Sequence, residues 1–119
     1  MSKNGKAVEN PIIGRARNHF RALARTIEVP EWGDDGQALA VHVTPVTMNE
    51  KKMLAKKAEN DEFGTVVDTI IMKAADEAGD PLFTKEDKHA LMHGVDPDVV
   101  LRVFNEIMHT PTLEEASGN

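Results

Sequence analysis

At 119 residues, with no cysteine and 14 basic against 20 acidic side chains, the chain carries a net charge of -6. That length holds one domain, and the missing cysteine excludes disulfides, thiol nucleophiles and zinc–thiolate centres. The acidic balance argues against nucleic acid as the main partner, because phosphate binding needs a basic field, and no apolar run approaches the roughly 20 residues of a membrane span. The N-terminus lacks the continuous apolar region and small-residue cleavage site of a secretory signal, so a soluble intracellular protein is expected.

Residues 1–25 run against the overall charge: Lys3, Lys6, Arg15, Arg17, Arg21 and Arg25 face only Glu9. Asn4-Gly5 and Asn10-Pro11 punctuate a polar stretch that reads as flexible over 1–11. Residues 16–25, ARNHFRALAR, have the spacing of a short helix with Phe20, Leu23 and Ala24 on one side. This basic leader reads first as a solvated arm. The alternative, an arm for an acidic partner or for nucleic acid, lacks the interleaved aromatics of single-strand binders.

Thr26 to Val29 alternates polar and apolar residues up to Pro30, and Leu39, Val41 and Val43 alternate with Ala40, His42 and Thr44 up to Pro45. Two such runs around Trp32-Gly33-Asp34-Asp35-Gly36 predict a β-hairpin with a turn wider than two residues. Because an isolated hairpin is marginal in water, its apolar face needs a cover. Thr47-Met48-Asn49-Glu50 spells a capping box that opens a lysine-rich surface helix to about residue 59. A second helix is expected over 62–78, with Phe63, Val66, Val67, Ile70, Ile71, Ala74, Ala75 and Ala78 as a 3.6-period stripe. Gly79 and Asp80-Pro81 terminate it. Thr84 starts a helix near 85–93 that Gly94 closes, and Asp96-Pro97 caps a last helix over 97–109. That helix carries Val99, Val100, Val103, Phe104, Ile107 and Met108 on one face, and the polar tail 110–119 reads as disordered.

The fold class is therefore α+β and mostly helical: an N-terminal two-stranded hairpin followed by about four helices, two of them strongly amphipathic. Residues 26–109 form the single domain.

No chemical constellation stands out. His89 and His93 have the i, i+4 spacing of two metal ligands, but the segment reads HALMH, without the glutamate of a zinc-protease helix. The adjacent carboxylates Asp34-Asp35, Asp61-Glu62, Asp76-Glu77, Glu86-Asp87 and Glu114-Glu115 diverge on a helix or turn, whereas catalytic pairs converge. They read as caps and solubilising charge. No phosphate-binding glycine loop is present, and the only serines are Ser2 and Ser117. No enzyme, metal or cofactor is expected. Trp32, the only tryptophan, reads as a cover for the hairpin, with an exposed partner anchor as the alternative.

The order of these segments resembles the tail assembly chaperones of long-tailed phages and phage-derived gene transfer agents. Their pattern runs VPEWGG, then V.VRPLT..E, a helical region, a D..G.PLF…ED segment and a final amphipathic helix. The counterparts here are VPEWGDDG, VHVTPVTMNE, DEAGDPLFTKED and the helix from Asp96, covering about residues 26–108. Thr44 stands where an arginine is common, and the basic leader lies outside the pattern. The resemblance implies a non-catalytic protein of the host cytoplasm, absent from the mature virion. Such a protein binds the tape measure protein, keeps it soluble and passes it to the tail tube protein. A structural tail-completion or neck protein is the alternative, and a small DNA-binding regulator a more distant one. Apolar helix faces and six methionines suit adaptable helix binding. Trp32, Val66, Ile70, Phe104 and Met108 are the positions offered to a partner, with self-association a further option.

Overall fold

The computed structural model describes residues 10–116. The expected hairpin is present, in an α+β fold in which helices outweigh strands. Helix α1, Pro11–Ala22, precedes it. It starts earlier than the spacing of 16–25 suggests, because Asn10-Pro11 is a helix start and not loop punctuation. The Asn10 carboxamide accepts from the Ile12 amide at 2.9 Å, and Pro11 occupies the first helical position, where its missing N–H costs nothing. The remainder of the basic leader, residues 1–9, lies outside the described residues.

Strands β1 (Arg25–Asp34) and β2 (Gln37–Val43) pair antiparallel, from Arg25 opposite Val43 to Val29 opposite Leu39. The turn is tighter than expected: only Asp35 and Gly36 separate the strands, both at positive φ (52° and 75°), as a primed two-residue turn requires. The extra residues lie in an irregularity that sets Pro30 to Gly33 against Ala38 alone, before Asp34 meets Gln37. Pro30 is tolerated there because a bulge asks it for no ladder N–H. Gly33 is required there, since a Cβ would stand 1.8 Å from the Gln37 carbonyl oxygen.

Helix α2 (Met48–Ala58) opens on the expected capping box, with the Thr47 hydroxyl accepting from Glu50 N at 3.1 Å and the Glu50 carboxylate from Thr47 N at 2.9 Å. Helix α3 is shorter than its alanine-rich stripe implies: it spans Glu62–Lys73 and turns extended at Ala74. Ala75 instead exchanges both backbone hydrogen bonds with His42 of β2, at 2.8 and 3.1 Å, and bridges to Pro81 on its other side. The loop between is closed by Asp76, whose carboxylate accepts from Ala78 N and Asp80 N at 2.9 Å each, and Gly79 supplies a φ of 91°. A 3-10 turn, Lys85–Asp87, runs into α4 (Lys88–His93), then come α5 (Pro97–Met108) and a short α6 (Leu113–Ala116) within the segment expected to be loose.

The core lies where the hairpin's inner face meets α3 and α5. Val29 and Val41 are fully buried, packed with Ile27, Val43, Ile70, Val103 and Ile107 in one apolar cluster. Two buried polar side chains on α3 are satisfied within the helix. Thr65 Oγ1 donates to the Asp61 carbonyl at 2.7 Å and Thr69 Oγ1 to the Thr65 carbonyl at 2.8 Å. Lys73, with its side chain 7 % exposed, reaches Thr44 Oγ1 at 3.1 Å, the Pro45 carbonyl at 3.3 Å and Glu50 at 3.1 Å. It ties the end of α3 to the start of α2.

Candidate binding grooves

The five positions offered to a partner divide. Ile70 is fully buried and Val66 nearly so, so in this conformation both serve the core, because the stripe of α3 faces the hairpin and α5. Trp32 is half-buried against the core, and its ring meets Phe83 edge to face at 6.0 Å. It stands in the bulged part of β1 and covers one end of the core. Phe104 and Met108 are half-buried and open into a groove of about 400 Å³ between α2 and α5. Leu54, Ala55 and Ala58 form its α2 wall, Phe104 and Met108 its α5 wall, and Val66 and Thr69 its floor. Lys51 and Glu62 place one charge of each sign on its border.

This groove is mostly apolar and open to solvent. Its lining runs from Lys51 to Ala58 on α2 and from Phe104 to Met108 on α5, about 10 and 6 Å at 1.5 Å per residue, the length of one to two turns of a bound helix. Ala55 and Ala58 leave room for a backbone to approach, while Met108 can change rotamer to suit different side chains. Seating one large apolar side chain fully in such a groove contributes about 1.5–3 kcal/mol.

A second groove, of about 410 Å³, runs between the starts of α3 and α5 and the end of α4. Phe63 stands on it, 66 % exposed, with Met92, Val95 and Leu101 also exposed. The periodicity placed Phe63 in the buried stripe. In the structure it sits one residue into α3, ahead of the point where the helix meets the hairpin.

Polar clusters are committed to holding the fold. A depression of about 430 Å³ at the open end of the hairpin gathers Thr26, His42, Thr44, Lys73 and Asp76. Lys73 is engaged by Thr44, Pro45 and Glu50, Thr26 Oγ1 lies 3.2 Å from His42 Nδ1, and Asp76 holds its own loop. Burial alone pushes the Glu50 carboxyl up, but the Thr47 amide and the Lys73 ammonium together outweigh it and hold it below the usual range. Asp68 behaves alike: burial raises it, and Lys88 at 3.0 Å and Lys57 at 3.3 Å bring it down. Glu31 is lowered to about 2 by its two-pronged pairing with Arg102, at 2.8 and 2.5 Å. His89 and His93 stack, with 4.3 Å between ring centroids, on an exposed face of α4. Among the described residues no group of three His, Asp or Glu side chains is placed to hold a metal ion, and no helix is long and apolar enough to cross a membrane.

No protein family, curated protein or solved structure matches this chain.

The α2–α5 groove was half legible in the sequence. Phe104 and Met108 follow from the stripe of α5. Ala55 and Ala58 do not, because small residues on a lysine-rich helix give no periodic signal.

Proposed function

We propose that this chain is a tail assembly chaperone of a long-tailed phage or a related gene transfer agent, and that it binds amphipathic helical segments of the tape measure protein in the α2–α5 groove. The observation that carries this reading is the pairing of Phe104 and Met108 with Ala55 and Ala58 across an open, mostly apolar groove. A long helical protein exposes apolar stripes before its tube forms around it, and helix-in-groove docking covers such stripes. The resemblance of residues 26–108 adds support, and its segments cooperate in this fold: Trp32 of VPEWG packs on Phe83 of the PLF segment, and Glu31 holds Arg102 of α5. In this role the protein performs no chemistry, acts in the host cytoplasm, yields its client to the tail tube protein and is absent from the finished particle.

The test is co-expression with the tape measure protein of the same genome, followed by affinity capture and size exclusion. Solubilisation and co-elution of the long protein are expected. A well-folded chain that leaves it insoluble and unbound, or that is recovered in purified particles, overturns the proposal in favour of a virion component.

A further inference from the structure

A third groove, of about 440 Å³, lies between the end of α2, the later half of α3 and the 3-10 turn that leads into α4. Lys57, Lys85 and Lys88 line it together with Asp68, and Ile71 and Met72 supply its apolar surface. Three ammonium groups meet one carboxylate there, an excess of two positive charges on a chain whose net charge is -6.

Two of the lysines are held in place by the fold. Asp68 takes Lys57 Nζ on one carboxylate oxygen at 3.3 Å and Lys88 Nζ on the other at 3.0 Å. An ammonium group has three N–H donors, so each lysine keeps donors for a ligand while its side chain is already ordered, which lowers the cost of binding. Lys85 is exposed and forms no ion pair among the described residues. Its neighbour Glu86 lies outside the lining, and the Asp87 carboxylate accepts from the Thr84 amide at 2.8 Å. Beside these charges Met72 is 37 % exposed and Ile71 half-buried.

We infer that this groove docks an acidic amphipathic peptide segment of a partner protein, its carboxylates on Lys57, Lys85 and Lys88 and an apolar side chain on Ile71 and Met72. The lining's surplus of positive charge sets the sign of the occupant, and the apolar surface between the lysines sets its amphipathic character. A nucleic acid fits less well: the lining offers no aromatic ring on which a base could stack, and the acidic chain as a whole repels a polyphosphate. No lining residue is shared with the α2–α5 groove, so the two surfaces are separate and can be filled together.

The experiment is fluorescence anisotropy on the full chain with a labelled peptide of glutamate and alanine that carries two leucines one helical turn apart. Saturable binding is expected at low salt with a Kd below about 1 mM, weakening as salt approaches about 1 M, where the screening length is about 3 Å. Lys85→Glu should lower the affinity at least about tenfold. Lys52→Glu makes the same charge change about 140° round α2 from Lys57 and should lower it far less, and Ala55→Glu in the α2–α5 groove should do no more than Lys52→Glu. All three positions are exposed, and circular dichroism checks that each variant folds. A folded wild type that shows no saturable binding overturns the inference. Equal losses in Lys85→Glu and Lys52→Glu also overturn it, since net charge alone then governs the contact. So does undiminished binding of a peptide with glutamine in place of glutamate. Tighter binding of a single-stranded oligonucleotide of equal charge, lost in Lys85→Glu, overturns it in favour of nucleic acid.

Discussion

The rings of Trp32 and Phe83 meet edge to face, 6.0 Å apart at 79°, and they fasten the bulged end of β1 to the segment that follows the Asp76 loop. Both rings are half-buried on the core, so each removal exposes apolar surface and also breaks an aromatic pair. Trp32→Ala and Phe83→Ala should each destabilise the fold by about 2 kcal/mol. The double variant should lose about 0.5–1.5 kcal/mol less than the sum. Urea denaturation followed by far-ultraviolet dichroism measures this. Strict additivity would show that the rings do not interact.

Lys73 and Glu50 form the second brace, and it is pH-sensitive. The folded-state value of Glu50 lies below its ordinary 4.5, as do those of Glu31 and Asp68 relative to their own. Carboxyls lowered by folding add stability that is complete above the ordinary range and disappears as pH falls through the folded values. The urea midpoint should therefore hold steady down to about pH 5 and then decline towards pH 2. Glu50→Gln should lower neutral stability by about 1–2 kcal/mol, since it weakens both the cap and the lysine contact, and should flatten the acid decline. An unchanged acid profile in that variant would remove Glu50 from the account.

Ile70 separates folding from binding. It is fully enclosed by the hairpin, α3 and α5, so Ile70→Ala should cost about 2–5 kcal/mol. Under conditions where the variant is still folded, client affinity should match wild type. A client-binding loss without a stability loss would mean that the core opens to receive the partner.

Ala55 gives the converse case. It is exposed on α2 and lines the α2–α5 groove proposed for the client, so Ala55→Glu keeps the helix and places a charge in a mostly apolar groove. Melting temperature should shift little, while affinity for a tape measure segment, read by calorimetry, should fall at least about tenfold. Retained affinity would move the client to another surface.

Local signals were readable from residue order. The Thr47–Glu50 capping box, the Asp96-Pro97 start of α5 and the alternation of Val41 and Val43 are each dictated by neighbours within four residues. The end of α3 was not readable, because it is set by His42, distant in sequence, whose backbone captures Ala75. The hairpin bulge was hidden for a similar reason: Pro30 resembles a strand end unless the partner strand tolerates an unpaired stretch. Burial of Ile70 against exposure of Phe63 depends on where on α3 the hairpin lands, and a stripe alone does not encode that.

The most direct test of groove binding is a nuclear magnetic resonance titration of the labelled full chain with a synthetic amphipathic helix from the tape measure protein. Perturbations should concentrate at Ala55, Ala58, Thr69, Phe104 and Met108, leaving the Trp32–Phe83 end and α1 unchanged. A saturable titration whose perturbations avoid those five residues, or none at all, would contradict the account.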